Sequence, residues 1–554
     1  MKTATGTKIS GGIAVGKLKL YRPKTYEISE EKAVDPVSEL ERFESAREKV
    51  REQQRALHEK VVAEAGEDSA AVFEVHEMML DDRMISACRE IITDQKHKAE
   101  YAVRRGFDNA LRQFRDMDDP YFRARSADVE DLKIAMLDAL FGNEPDSLPV
   151  TEPSILVADD LTPSEMVRLD RSLLLGIVMR EGSTNSHTAI LARSFGLPAI
   201  IRCREVEDDW DGKYAALDGY DSRLYIEPPR ELIDSLMAKR KDELEKETLL
   251  SELKGKPSTT IDGHNIKVYA NICDPSEVEA VLSNDAEGVG LFRSEFIYLN
   301  SRTDPPEEEQ YRAYRKVLEA LAPRPVVIRT SDIGADKAIE YLDLEKEENP
   351  ALGYRAIRIC LSRKDFFKRQ LRALLRASAH GNLGIMFPMI TCLSEVRACK
   401  EVLGECRREL ENEGAETGNP ETGIMIETPA AALLADDLAE EVDFFSLGTN
   451  DLTQYTCAID RQNEKIAPFL DAHNPAVLKL IQMTVEAGHR HNIRVGICGE
   501  LGADLSLTET FLRMGVDELS VNPGSVLPLR KQIRSITCSD GRDTPFPPAA
   551  GSTL

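Results

Sequence analysis

Residues 423–451 read GIMIETPAAALLADDLAEEVDFFSLGTND. Two short apolar runs, GIMIE at 423–427 and FFSLG at 444–448, flank a helical pattern, and polar residues follow each run. A strand buried on both faces reads as such a run, because neither side needs to meet water. The unit recurs. Further β-rich runs lie at 266–272 (IKVYANI), 288–293 (GVGLFR), 325–330 (PVVIRT), 383–387 (LGIMF), 494–498 (RVGIC) and 518–522 (ELSVN), most of them separated by helical patterns. Eight such runs in about 270 residues are the count and size of a (β/α)8 barrel. An open doubly wound sheet is the competing fold.

Upstream the rhythm differs. Residues 1–25 alternate like β-structure, and Asp35-Pro36 is an N-cap with proline at the first helical position. From there Val37, Leu40, Phe43, Val50, Leu57 and Val61 keep a helical period, and further helical patterns occupy 68–93, 97–116 and 127–141. Four helices joined by short loops predict a bundle. Strand patterns return at SILVAD and LLLGIVM, so the bundle reads as inserted into an α/β unit that closes with LPAIIR, YAALDG and SRLYIEP. The charged helical stretch 230–256 reads as a connector, and the Pro/Gly/Ser-rich end as a loose tail.

At 554 residues, with 42% hydrophobic and 30% charged side chains, the chain has core material for roughly three or four folding units at ~150 residues each. No apolar run approaches membrane-spanning length, and the start MKTATGTKIS lacks a secretory apolar region. Ten cysteines without a CxxC pair predict a reducing, cytoplasmic setting. The net charge of -26 argues against nucleic acid as the main partner and favours small anions in local basic pockets, or a basic protein. GGIAVGKL at 11–18 fits GxxxxGK, but Leu18 stands where a phosphate loop needs Ser or Thr, and a strand pattern follows instead of a helix.

In a barrel the chemistry gathers at the carboxyl ends of the strands. Those positions carry Asn271, Arg293, Arg329, Glu427, Asn450 with Asp451, Cys498 and Asn522, and Arg461 follows in the segment after Asp451. Arginine forks bind phosphate and carboxylate. Glu427 and Asp451, without neighbouring histidine or thiolate, suit Mg2+ rather than zinc. Each residue alone has a bland reading: a structural arginine, a helix-capping Glu427, a buried Cys498. Together they predict a receptor for a small, multiply anionic, metal-bound substrate.

His187 stands apart, where the turn GSTNS gives way to a helical pattern from Thr188 to Phe195 that buries Ile190, Leu191 and Phe195. A lone histidine is most often a satisfied core residue. Here a polar turn exposes it at a helix N-terminus, no metal-ligand spacing surrounds it, and no Ser or Cys nucleophile is near. Neutral imidazole is itself a nucleophile, and a helix N-terminus favours an added phosphoryl group.

Over nearly its whole length the sequence resembles Enzyme I of the phosphoenolpyruvate:sugar phosphotransferase system. The stretches SGGIAVGK, DLTPSE, SHTAILARS, LFRSEF, VIRTSDIGADK, ENPALGYRAIRI, FPMITCLSEV, GIMIETPAA, FSLGTNDLTQYTCAIDR and GICGELGAD carry the likeness. The resemblance implies a multidomain α/β protein. A swivelling phosphohistidine domain (1–27 and 146–229) would hold an inserted helical subdomain (28–145) that docks the phosphocarrier HPr, with the acidic stretch 64–82 suited to a basic partner. A linker helix (230–260), a phosphoenolpyruvate-binding TIM-like barrel (261–537) and a flexible tail (538–554) would follow. It further implies autophosphorylation of His187 from phosphoenolpyruvate with Mg2+ on Glu427 and Asp451, then transfer to HPr. Arg293, Arg329, Asn450, Asp451 and Arg461 would bind substrate, Cys498 would donate the proton to the enolate, and Arg355 and Arg358 would support. A homodimer through the barrel is implied as well. The chain departs from the family pattern at Thr184 and Asn185, where arginine and threonine are usual. A dikinase or synthase sharing the histidine domain would need an ATP-binding domain, a nitrogen-regulation paralogue an N-terminal sensory domain, and a carbon–carbon lyase on the same barrel would leave His187 unexplained. A non-catalytic metabolite-binding regulator would have no need of Glu427, Asp451, Arg461 and Cys498 together.

Overall fold

All eight apolar runs of the second half form strands: β9 (Lys267–Ile272), β10 (Val289–Arg293), β11 (Val326–Arg329), β12 (Leu383–Phe387), β13 (Glu421–Ile426), β14 (Phe444–Leu447), β15 (Arg494–Ile497) and β16 (Glu518–Val521). Each pairs in parallel with the next, and β16 returns to β9, so the sheet is a closed barrel and the open-sheet alternative falls. The strands alternate as a closed sheet requires. Leu291, Val327, Met386, Met425 and Phe444 fill the barrel interior together with Cys498, while Ile328, Ile385 and Ile424 pack outward into the larger core under the helices. These coordinates come from a computed structural model that describes all residues except 23–25, 66, 82, 116–125, 144–149, 183–185, 300, 302, 336–338, 462, 464–465, 467–468, 470, 472 and 539–554. Nearly all of the expected loose tail therefore lies outside the described residues.

The chain divides into two units, Met1–Glu245 and Lys246–Leu554. In the first, β1 (Lys2–Thr5), β2 (Thr7–Ser10), β3 (Ile13–Leu20), β4 (Ser154–Ala158), β5 (Leu174–Met179), β6 (Ala199–Ile201), β7 (Tyr214–Asp218) and β8 (Arg223–Ile226) make one mixed sheet of order β1-β8-β7-β3-β4-β5-β6-β2. The GxxxxGK near-miss falls largely on β3, as strand and not as phosphate loop.

Between β3 and β4 run α1 (Pro36–Ala65), α2 (Glu67–Met79), α3 (Arg83–Thr93), α4 (Ala99–Arg115) and α5 (Ser126–Phe141). Asp35 caps α1 by accepting from the Val37 amide at 3.0 Å, and Phe43, Val50 and Val61 are fully buried along its inner face. The helical pattern expected to run unbroken over 68–93 is two helices. The break falls beside Asp81, which pairs with Arg51 at 2.9 Å and Arg47 at 3.0 Å of α1. Glu77 is bound to Arg55 in the same way, so part of the acidic stretch is neutralised within the bundle. Two short helices follow in the α/β part, α6 (Pro163–Arg168) and α7 (His187–Ser194), before α8 (Arg230–Ser251).

Candidate active site

The helix α7 lies between the parallel neighbours β5 and β6, so His187 opens a helix at the carboxyl edge of the sheet. Ser186 caps it, accepting from the Ala189 amide at 3.3 Å, and Thr188 anchors it by donating to the Leu161 carbonyl at 2.6 Å. Ala189, Leu191 and Ala192 are buried, whereas Ile190, expected inside, is exposed. The i, i+3 spacing of 189 and 192, with Leu191 between them, sets the inward face, and 190 turns away from it. The side chain of His187 and the turn residues Thr184 and Asn185 lie outside the described residues.

In the barrel unit, Arg293, Arg329, Glu427 and Cys498 share one cavity of about 1080 Å³ with Asn450, Asp451 and Arg461. Closure of the sheet brings together residues up to 205 positions apart. Arg293 and Arg329 end β10 and β11 and are direct partners in the parallel register, so their backbones stand about one strand spacing apart, ~4.8 Å. Arg293 is exposed, with Nη1 3.8 Å from the Cys273 Sγ, whereas Arg329 is buried and gripped by Glu295 at 3.0 Å and Asp332 at 2.9 Å. Burial opposes the Arg329 cation, but Glu295, Asp332 and Glu427 outweigh it and hold its pKa above the ordinary value.

Glu427, one residue past β13, is 1% exposed and accepts from the Met389 amide at 2.6 Å. Burial, with the charges of Asp451 and Asp332, pushes its pKa up to about 8. The Arg329 cation only partly offsets these effects at Glu427, and the Asp451 Oδ1 is buried without a hydrogen bond, though Arg461 Nη2 lies 3.3 Å away. That is the donor set a hard cation relieves. Among the described residues no three His, Cys, Asp or Glu side chains converge as a metal cage. A cation here would rest on Glu427 and Asp451 with substrate and water oxygens, the habit of Mg2+. Asn450 exchanges hydrogen bonds with Glu500, amide to carboxylate at 3.1 Å and backbone to amide oxygen at 3.0 Å, which fixes its orientation at the start of the helix Thr449–Cys457.

The Cys498 thiol is 3% exposed, and burial pushes its pKa up to about 11, with Ser446 and Arg329 working the other way. Its protonated form is favoured. Asn271 and Asn522 do not line the cavity. Asn271 instead donates to the Cys498 carbonyl at 2.9 Å and the Ser520 carbonyl at 3.1 Å, tying down the loop that carries the thiol, while Asn522 starts the turn Pro523–Ser525. Arg355 pairs with Asp332 at 2.7 Å, and Arg358 donates to the carbonyls of Leu352 and Gly353 at 3.1 and 2.8 Å, so both support the cavity wall. Sequence reasoning missed Glu295 and Asp332. Their signal was present: each carboxylate sits two or three residues after a strand-end arginine.

Three family models match the chain: PEP-utilising enzyme, N-terminal, at residues 5–125; PEP-utilising enzyme, mobile domain, at 150–222; and PEP-utilising enzyme, PEP-binding domain, at 247–538. The chain is thus a phosphoenolpyruvate-utilising enzyme by family. The phosphoenolpyruvate-protein phosphotransferase of Priestia megaterium is 39% identical over 545 residues, 97% of this chain and 95% of that one. Those of Bacillus sp. (strain S) and Haemophilus influenzae are each 40% identical, covering 97% of this chain and 93% and 95% of theirs. The chain belongs to the phosphoenolpyruvate-protein phosphotransferase family, and it is an enzyme of that kind.

Proposed function

We propose that the chain moves the phosphoryl group of phosphoenolpyruvate onto His187 with the help of Mg2+, releases pyruvate, and passes the group to a histidine of the phosphocarrier HPr, which drives sugar uptake. The observation that carries this reading is the convergence of two strand-end arginines, two buried carboxylates, an amide and a protonated thiol on one cavity.

Arg293 and Arg329 take the phosphate oxygens from adjacent strands, and Arg461 with Asn450 orients the rest of the substrate. An imidazole nitrogen of His187 attacks phosphorus as the bond to the enolate oxygen breaks, so a P–N bond replaces a P–O bond. Positioning and charge neutralisation do most of the catalysis in such a displacement. Glu427 and Asp451 would hold Mg2+, which when bound neutralises the phosphate and enolate oxygens. Cys498 gives its proton to the enolate methylene carbon, leaving pyruvate and a thiolate that water reprotonates. The P–N bond to His187 then breaks as one to the HPr histidine forms.

The helical segment 28–145 offers HPr an acidic surface on which Glu74 remains exposed, although Glu77 and Asp81 are engaged by arginines. Pairing of barrels into a homodimer follows from the family resemblance. A cytoplasmic setting agrees with ten cysteines free of disulfides, and no described helix is long and apolar enough to cross a membrane. The test mixes the chain with phosphoenolpyruvate, Mg2+ and HPr. One pyruvate released per HPr phosphorylated is expected, and pyruvate release with HPr left unmodified would sink the relay.

A further inference from the structure

Gln370 belongs to the helix Lys364–Ala377 outside the barrel, yet it is fully buried and its amide reaches the ends of β10 and β11. Its Oε1 accepts from the Ser331 backbone N–H at 2.9 Å. Its Nε2 donates to the Ser294 hydroxyl at 2.9 Å and to the Tyr314 hydroxyl at 3.1 Å. Ser294 in turn donates to the Arg329 carbonyl at 2.7 Å. Every direction in this chain is forced. A backbone N–H only donates, so the amide oxygen must face Ser331. The one hydroxyl proton of Ser294 goes to the carbonyl, so Ser294 must accept from Gln370. Ser294 and Ser331 are at most 2% exposed, so no solvent molecule substitutes freely for a lost partner.

The two serines matter for where they stand. Ser294 directly follows Arg293, and Ser331 comes two residues after Arg329. The relay therefore staples the backbone carrying one arginine to the backbone carrying the other, beyond the last register pair of β10 and β11. We infer that Gln370 is a positioning residue for phosphoryl transfer, setting the spacing of Arg293 and Arg329 from behind through Ser294 and Ser331. The inference rests on the reading that these arginines hold the phosphate.

Three variants of the full chain separate the possibilities. Gln370→Met keeps length and burial but makes none of these bonds, and kcat/KM for phosphoenolpyruvate should fall about tenfold, the order expected when reacting groups are misplaced by a fraction of an ångström. Gln370→Glu restores the link between Ser331 and Ser294, without the bond to Tyr314, only when protonated, its carbonyl facing Ser331 and its O–H facing Ser294. Its kcat/KM relative to the parent should exceed that of Gln370→Met and rise further as pH falls, a response that packing alone does not give. Arg329→Met tests the underlying reading. If Arg329→Met disables the enzyme while Gln370→Met stays within about twofold of the parent, or Gln370→Glu and Gln370→Met are equally impaired at every pH, Gln370 positions nothing. If Arg329→Met itself retains parental kcat/KM, the phosphate grip is wrong instead.

Discussion

Cys498 illustrates how burial selects a chemical role. A thiol near its ordinary pKa would be a nucleophile as readily as an acid, but in the barrel interior, held near 11, it keeps its proton at neutral pH. Cys498→Ala is expected to slow pyruvate formation by about 10²–10⁴-fold with the fold intact, the usual worth of a positioned general acid. Turnover within a few fold of the parent would remove the thiol from the mechanism. Glu518 is a second barrel carboxyl, beside Glu427, whose pKa burial raises. It begins β16, and a Cβ on Gly290 would lie 2.3 Å from its Oε1, so the glycine leaves the space the carboxyl occupies. Burial lifts its pKa from 4.5 to about 7. The fold thus favours the protonated form, and that contribution is complete below pH 4.5 and lost as pH rises through about 7. Glu518→Gln should therefore gain on the parent between pH 5 and pH 8, by on the order of 2–3 kcal/mol in denaturant unfolding. A constant gap across that range would contradict the assignment. At this scale the sequence was legible where chemistry sits at a strand end, as with Arg293, Glu427 and Cys498. It was silent on Gln370, because a polar residue on an outer helix carries no mark of which way it faces.

The elements were more readable than the residues. Eight apolar runs became eight strands because buried parallel strands need nothing but apolar side chains on both faces. The merged reading of 68–93 failed because helical periodicity does not report a turn made by tertiary ion pairs, here Asp81 with two arginines of α1. The inward side of α7 was misjudged at Ile190 for a related reason: eight residues give too few turns for hydrophobicity alone to fix the buried stripe. The turn after β14 yields the test at this scale. A Cβ on Gly448 would stand 2.9 Å from the Glu427 Cβ, closer than real contacts allow, and 3.0 Å from its Oε2, tighter than most. Gly448→Ala should shift Glu427 and raise the Mg2+ concentration needed for half-maximal activity, with pyruvate still formed at saturating metal. An unchanged Mg2+ requirement would separate Glu427 from the metal.

For the whole molecule, the division of labour follows from where each chemistry resides. The barrel cavity is lined by arginines, carboxylates and a thiol but, among the described residues, by no histidine that could receive a phosphoryl group in the proposed reaction. The α/β unit presents His187 at the start of α7, within a different compact unit of the chain. In the proposed relay His187 is loaded by one partner and emptied by another, so it would be a carrier, and substrate binding and phosphate acceptance become separable properties. Radiolabelled phosphoenolpyruvate with Mg2+, followed by mapping of acid-labile label, measures this most directly. Label is expected on residue 187 alone, and in His187→Ala no label with phosphoenolpyruvate binding to the barrel retained. Label on any other side chain, or loss of phosphoenolpyruvate binding in His187→Ala, would contradict it.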